Sequence, residues 1–319
     1  LQWQPATFHV TRHEQVKYAC RHCETVITAA KPARPIEKGL LGSSMLAYLL
    51  VSKYQDHIPI DRVRRICQRS HIDLPISTLT DAVGRCGWIL RPIVERLTDY
   101  LMTTSHLHTD DTVIPVIDAA RGQTKQGRLW VYVHTSTQGK PAVVFDYTPN
   151  RSQQGLLEIL NNFQGYLQAD GYPGYDKLYQ QGQVDEVACW AHVRAKFETL
   201  EKNTQSPIAQ QALVLIGQLY AIEKTIKKQT DQQRRLKRQQ EAIPILQRLK
   251  KHLEESLLKI GGTSDAAKPI NYALHRWRAL LRYTEEGHLH IDNNPAERCI
   301  RPITIGLRIG LRDVAKINK

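Results

Sequence analysis

Three runs in the middle of the chain carry a period of two: "LHTDDTVIPVID" (107–118), "GRLWVYVHTS" (127–136) and "PAVVFDYTP" (141–149). That period sends successive side chains to opposite faces of a pleated strand, whereas a helix needs its apolar residues three and four apart. Short polar turns, "RGQTKQ" and "TQGK", join the runs, so three consecutive strands are expected. A helix, "SQQGLLEILNNF" (152–163), a strand, "GYLQAD" (165–170), the run "VACW" and a basic helix, "AHVRAKFETLEK", come next. Antiparallel strands followed by strands alternating with helices predict a mixed α/β sheet.

The flanks read differently. Residues 1–34 are β-rich and irregular and end in the linker "KPARP". From 35 to 104 the pattern is helical, with "GLLGSSMLAYLLVSKYQD", "PIDRVRRICQRSH" and a long run from "LPIST" in which Ser77 or Thr78 is the expected cap. Short basic helices in succession suit either a helix-turn-helix-like DNA-binding unit or a plain helical bundle. Residues 203–260 are helical again and rich in Gln, Lys and Arg, as expected of a helical hairpin inserted before the last helices; "GGTSDAAKP" (261–269) breaks it. The cations between Lys224 and Arg238 read first as a solvated helix face.

Charge narrows the partners. Lys and Arg number 44 against 31 Asp and Glu, a net +13, and so large a surplus favours a polyanion. No apolar run approaches the roughly 20 residues needed to span a bilayer, so nucleic acid is favoured over membrane. The six cysteines have no disulfide-scaffold spacing, which fits reduced thiols in a cytoplasm. The chain opens on Leu1, as a fragment would.

Three acids fall at telling places: Asp110 inside the first strand of the central group, Asp170 at the end of the fourth, and Glu297 in "HIDNNPAERCIRP" (290–302). Carboxylates gathered at one sheet edge would raise one another's pKa unless a cation neutralised them. Mg²⁺ or Mn²⁺, with their preference for oxygen ligands, would do so. Asp170 and Glu297 also have plainer readings, whereas an Asp inside a strand is uncommon. Asp170 before Gly171 suits a turn, and Asp111 points to the opposite face from Asp110. Glu297 suits a capping box behind Asn294 and Pro295, with an i,i+4 partner in Arg301.

Taken in order, "YACRHCE", "HTDDTVIPV", "LQADGYPGYDKL", "ACWAHVRAKF" and "IDNNPAERCIRP" resemble the transposases of the insertion-sequence 66 family, over nearly the whole chain. The resemblance implies a DDE-type enzyme with a ribonuclease H-like mixed sheet and a helical insertion at about 203–268. Its catalytic domain would span 105–319, behind a helical DNA-binding region (35–104) and a partial zinc-finger-like segment (1–34). It implies Asp110, Asp170 and Glu297 as catalytic residues holding two Mg²⁺ or Mn²⁺ ions. The activity would be cleavage at transposon ends and strand transfer by 3′-hydroxyl attack on target DNA. It further implies double-stranded DNA as partner, a homo-multimer, element-encoded helper proteins and a bacterial, nucleoid-associated location.

Cys20 and Cys23 supply half of a tetrahedral zinc site; relatives carry a second Cys pair ahead of the position of Leu1. Past "RCIRP" relatives continue into a basic, aromatic stretch where this chain reads "ITIGLRIGLRDVAKINK", and shortened ends would impair activity. His192, Arg194 and Lys196 in "CWAHVRAKF", with Arg298 and Arg301 beside Glu297, are candidate phosphate contacts, Arg offering a planar bidentate fork. Surface ion pairing is the alternative for each. Two rival functions stay open: a catalytically inactive DNA-binding remnant, and a structure-specific nuclease on the same fold.

Overall fold

A computed structural model describes residues 1–2, 7–118, 123–135, 140–262 and 264–309. The chain divides into two units: residues 1–92 with the chain's end from Gly306, and residues 93–305. In the first unit a short antiparallel hairpin pairs β1 (Lys17–Ala19) with β2 (Val26–Thr28). Helices α1 (Ser43–Leu50), continued by a π-helical turn, and α2 (Ile60–Arg69) follow. With the start of α3 (Ile76–Met102) they bury Leu46, Leu49, Val63, Cys67, Leu79 and Val83. Ser77 and Thr78 are not caps: the helix begins at Ile76, and the Leu79 N–H donates to the Pro75 carbonyl.

The second unit is built on a five-stranded sheet of β3 (His106–Asp118), β4 (Gln123–His134), β5 (Ala142–Thr148), β6 (Gly165–Ala169) and β7 (Val184–Ala188). Their spatial order is β5-β4-β3-β6-β7. The first three strands run antiparallel, and β6 and β7 add in parallel. Gly165 opens β6 at φ +126, where a Cβ would lie 2.5 Å from the Ser105 carbonyl oxygen. Only glycine lets the two strands start so close together.

Alternation gives the sheet two unlike faces. One face carries Leu107, Trp130, Tyr132, Val144 and Leu167, and it packs on α4 (Gln153–Leu160), on Tyr175 and on α5 (Asp176–Gln180). The other face carries Val131 and Val133 against Ala296 and Ile300 of α12 (Asn294–Ile309). Beside them stand the polar residues His106, His108, Asp110 and Gln168. The largest apolar core joins Val187 to α6 (Trp190–Thr204), α7 (Pro207–Ile226), α9 (Ile243–Lys259), α10 (Ala267–His275) and α11 (Trp277–Leu281). Between α7 and α9 lie α8 (Asp231–Lys237) and a π-helical turn over Arg238–Ala242. No described helix is long and apolar enough to cross a membrane.

The basic run from Lys224 to Arg238 is not wholly a solvated face. Arg238 is fully buried. Its Nε and Nη2 donate to both carboxylate oxygens of Glu223 at 2.8 and 2.7 Å. Its remaining N–H groups reach the carbonyls of Tyr283 at 2.8 Å, Glu286 at 3.0 Å and Leu289 at 3.0 Å. One guanidinium therefore ties α7 to the loop leading into α12, satisfying carbonyls that a buried loop would otherwise leave unpaired. At Gly287 in that loop a Cβ would meet the Asp231 carbonyl oxygen at 1.8 Å. Arg238→Met takes from Glu223 its two-pronged partner, leaving Arg234 at 4.0 Å, and removes a donor from the carbonyls of Tyr283, Glu286, Gly287 and Leu289; it is expected to lower stability by about 3 kcal/mol in urea denaturation. Adding Glu223→Gln should recover part of that loss.

Candidate active site

His106, Leu107 and His108 of β3 stand beside Tyr166, Leu167 and Gln168 of β6 in parallel register. Carried two residues further, that register sets Asp110 beside Asp170, the first residue past β6, on the same face. Across the other edge of β3, Asp110 opposes Val131, against which α12 packs through Ala296 and Ile300. Glu297 follows Ala296, so it too arrives at this end of the sheet.

A fully buried amide places it there. Asn293 Nδ2 donates to the Thr109 carbonyl at 2.8 Å, and its Oδ1 lies 3.1 Å from His108 Nδ1. Its backbone N–H points to Cys189 Sγ at 3.2 Å. The Asn293 carbonyl in turn accepts the N–H groups of Ala296 and Glu297, which makes Asn293 the residue that opens the helix. The cap is thus Asn293 rather than Asn294, and the expected capping box does not form, because the Asn293 side chain is engaged with β3 and Ala296 stands three residues on. Asn294 is already helical, its Nδ2 donating to Asp292 Oδ2 at 2.7 Å. Among the described residues Glu297 makes neither a capping hydrogen bond nor an ion pair with Arg301. It faces His192, whose Nδ1 lies 3.9 Å from Glu297 Oε1.

The electrostatics agree with the placement. Burial pushes the Asp110 carboxyl up to about 7, with further increments from the negative charges of Asp170, Glu297 and Asp111, against an opposing hydrogen bond from the Asp111 N–H. Asp111, on the other face, is spoken for: Arg128 and Arg151 grip its two oxygens at 2.8 and 2.7 Å. Arg151 also lies 3.5 Å from Asp170 Oδ2 and stacks over the Tyr172 ring at 3.9 Å. Asp170 Oδ1 accepts the Tyr172 N–H at 3.1 Å, the turn geometry expected of an Asp before glycine. No trio of Asp110, Asp170 and Glu297 closes to ligand spacing. Among the described residues, the group whose ligand atoms all lie within 4.8 Å of one another is Cys189, His192 and Glu297.

Comparison with known proteins fits this layout. The model of the family described as "Transposase IS66 family" matches residues 38–312. The chain belongs to the IS66 family of transposases. It is 31% identical over 94% of its length to the uncharacterized protein y4jD of Sinorhizobium fredii. It is 30% identical over 94% of its length to y4qI of the same organism. It spans 61% and 58% of those two proteins, about three fifths of their length.

The other sequence-predicted residues of this IS66 chain fall into two groups. His192 and Lys196 lie one turn apart on α6, with Lys196 Nζ 4.5 Å from the Tyr272 ring centroid. Arg194 is held by Glu198 at 2.9 Å, an exposed i,i+4 pair. Arg298 and Arg301 are exposed on α12. The exposed Cys20 and Cys23 belong to the first unit, where no third His, Cys, Asp or Glu of the described residues joins them at ligand spacing. Neither Asn293 nor Arg151 stood out in the sequence. Local sequence singles out Asn294 as the cap and gives Asn293 no role, and no local pattern announces a partner as distant as Thr109.

Asp110 has a signed pH signature. Below about pH 4 it is protonated in both the folded and unfolded chain. As pH rises from there the unfolded chain loses the proton first, so the folded state binds more protons and stability falls until about 7, where the carboxyl ionises in the fold. Asp110→Asn removes that cost. It should raise stability by roughly 2 kcal/mol at pH 8 without added metal and change little at pH 4, as read from thermal melts. A second expectation concerns the amide. Asn293→Leu leaves the Thr109 carbonyl and His108 without partners and should cost about 2 kcal/mol.

Proposed function

We propose that this chain carries the catalytic part of a DNA transposase of DDE type. It would cut phosphodiester bonds at transposon ends and join the freed 3′-hydroxyl to target DNA. The observation that carries the reading is the row of Asp110 and Asp170 on adjacent parallel strands, with Glu297 brought to the same end of the sheet by Asn293. The strand order, three antiparallel strands with two parallel ones added beside the first, supports a ribonuclease H-like core.

The donor set fits the expected metals. Burial above all, with smaller additions from Asp170, Glu297 and Asp111, lets the Asp110 carboxyl hold its proton to about pH 7, so the acids form a site short of positive charge. An all-oxygen set is what Mg²⁺ and Mn²⁺ prefer. Asp110, Asp170 and Glu297 would hold these ions, which when bound acidify the attacking water or hydroxyl and stabilise charge on the leaving oxygen. The chain's own residues do the rest. The Asn293 amide and the Tyr172 N–H fix two of the three acid-bearing segments. Lys196, Arg298 and Arg301 would offer cations to a phosphate backbone, and His192 a ring N–H. Arg194 contributes less, since Glu198 already holds it. No covalent link between protein and DNA is required.

The helical region 35–104 would add DNA affinity through its basic surface. Two ends held together imply a homo-multimer, and helper proteins encoded by the same element are expected partners. Residues 1–34 would bind Zn²⁺ through Cys20 and Cys23 only with ligands supplied from elsewhere. Asp110→Asn and Glu297→Gln should each lower Mg²⁺-dependent nicking of a plasmid bearing the element's own ends by at least about a hundredfold. Gel-shift affinity for the same ends should be unchanged or raised, because each variant turns one carboxylate fewer toward the phosphates. Undiminished nicking by either variant would overturn the assignment. Nicked but unjoined product from the parent protein would identify a nuclease.

A further inference from the structure

Cys189, His192 and Glu297 meet where β7 passes into α6 and α12 begins. A thiol sulfur, a ring nitrogen and a carboxylate oxygen, one from each, all lie within 4.8 Å of one another. Cys189 occupies the cap position of α6 and His192 sits in its first turn, so the C-x-x-H spacing sets both side chains at one helix end. His192 Nδ1 is shielded from solvent, makes no hydrogen bond among the described residues, and faces Glu297 Oε1 at 3.9 Å. A shielded imidazole nitrogen with no partner is costly unless something else occupies its lone pair or its proton.

The mixture of donors decides the kind of occupant. Sulfur, nitrogen and oxygen together are the ligands of Zn²⁺, which is tetrahedral and in open sites keeps a fourth position for water. Mg²⁺ takes oxygen donors in an octahedron and is a poor match. Zinc bonds of about 2.0–2.3 Å set neighbouring ligands roughly 3.5 Å apart. The trio must therefore contract by about 1 Å, which rotation of the partly exposed His192 and Glu297 side chains can supply. The Asn293 N–H, 3.2 Å from Cys189 Sγ, is placed to support a thiolate.

We propose that Cys189, His192 and Glu297 form a site for one thiophilic divalent cation of the zinc class, with its fourth position open to water. Binding exchanges the Cys189 S–H proton, released to solvent, for a metal–sulfur bond, and no electrons change hands. Burial holds that thiol up to about 12 in the free protein, so occupancy rises with pH as proton release becomes easier. Glu297 is common to this trio and to the acids on the sheet. A zinc-class ion here would withdraw it from Asp110 and Asp170.

Cobalt(II) reports on such a site directly. Protein carrying Cys20→Ser and Cys23→Ser, to silence the exposed pair, would be titrated with Co²⁺ near neutral pH. One equivalent should produce a near-ultraviolet thiolate-to-cobalt absorption and tetrahedral visible bands, abolished by Zn²⁺ but not by excess Mg²⁺. Cys189→Ser should remove the thiolate band. His192→Ala should weaken cobalt binding by about tenfold or more, with circular dichroism showing both variants folded. No thiolate band in the folded protein, or a band that persists in Cys189→Ser, would overturn the proposal. If Cys189→Ser fails to fold, unchanged cobalt affinity in His192→Ala does the same. Asp110→Asn separates the two readings: it should abolish nicking and leave the cobalt spectrum intact. Absence of the spectrum would leave the three-acid assignment standing.

Discussion

One buried amide side chain sets the geometry on which the candidate site depends. Asn293 satisfies its donor on the Thr109 carbonyl and its acceptor at His108, both on β3, while its own carbonyl receives the first N–H groups of α12. It therefore belongs to the sheet by its side chain and to the helix by its backbone. Ala296 and Ile300 then lie on Val131 and Val133, and Glu297 cannot avoid the end of the sheet where Asp110 stands. An amide so enclosed has no water to exchange for a lost partner, so the arrangement is specific as well as stabilising.

The amide is in turn held from behind. The segment from Tyr283 to Leu289 precedes it, and four of that segment's carbonyls accept from Arg238. Arg238 is anchored by Glu223 on α7. The helical insertion thus does more than extend the chain: its buried guanidinium braces the loop that delivers Asp292, Asn293 and Glu297. A lysine would not serve, since the fork must meet a carboxylate on one side and several carbonyls on the other.

Much of this was legible in the sequence, and what was not shares one character. The alternation in 107–149 implies three antiparallel strands because a half-buried strand must separate its faces, and it sets Trp130 and Tyr132 together in the core. Asp111 was correctly placed on the face opposite Asp110 for the same reason. The pattern of "INYALHRWRALLRYTEEG" suits one helix, but the structure breaks it at Arg276, whose side chain reaches Glu186 and the Gly171 carbonyl. Asn293, Arg151 and Arg238 were missed in the same way. Each is a polar residue whose partners lie far off in sequence, and periodicity carries no information about them. The shift of the α12 cap from Asn294 to Asn293 is another instance, for local propensity favours either asparagine and tertiary hydrogen bonds choose between them.

The polar face beside the acids explains why their repulsion persists. His106, His108 and His290 cluster there, with ring centroids 4.5 to 6.0 Å apart, and imidazolium ions in that position would neutralise the carboxylates. Burial prevents it: His106 and His108 are driven well below the ordinary histidine range, and His290 to about 4. Mutual repulsion and the cations of Arg234, Arg238 and Arg298 reinforce the effect. Arg151 is divided between Asp111 and Asp170. The interior therefore supplies shape and hydrogen bonds but little positive charge at Asp110. A carboxyl buried this way is most stable either protonated or beside a cation.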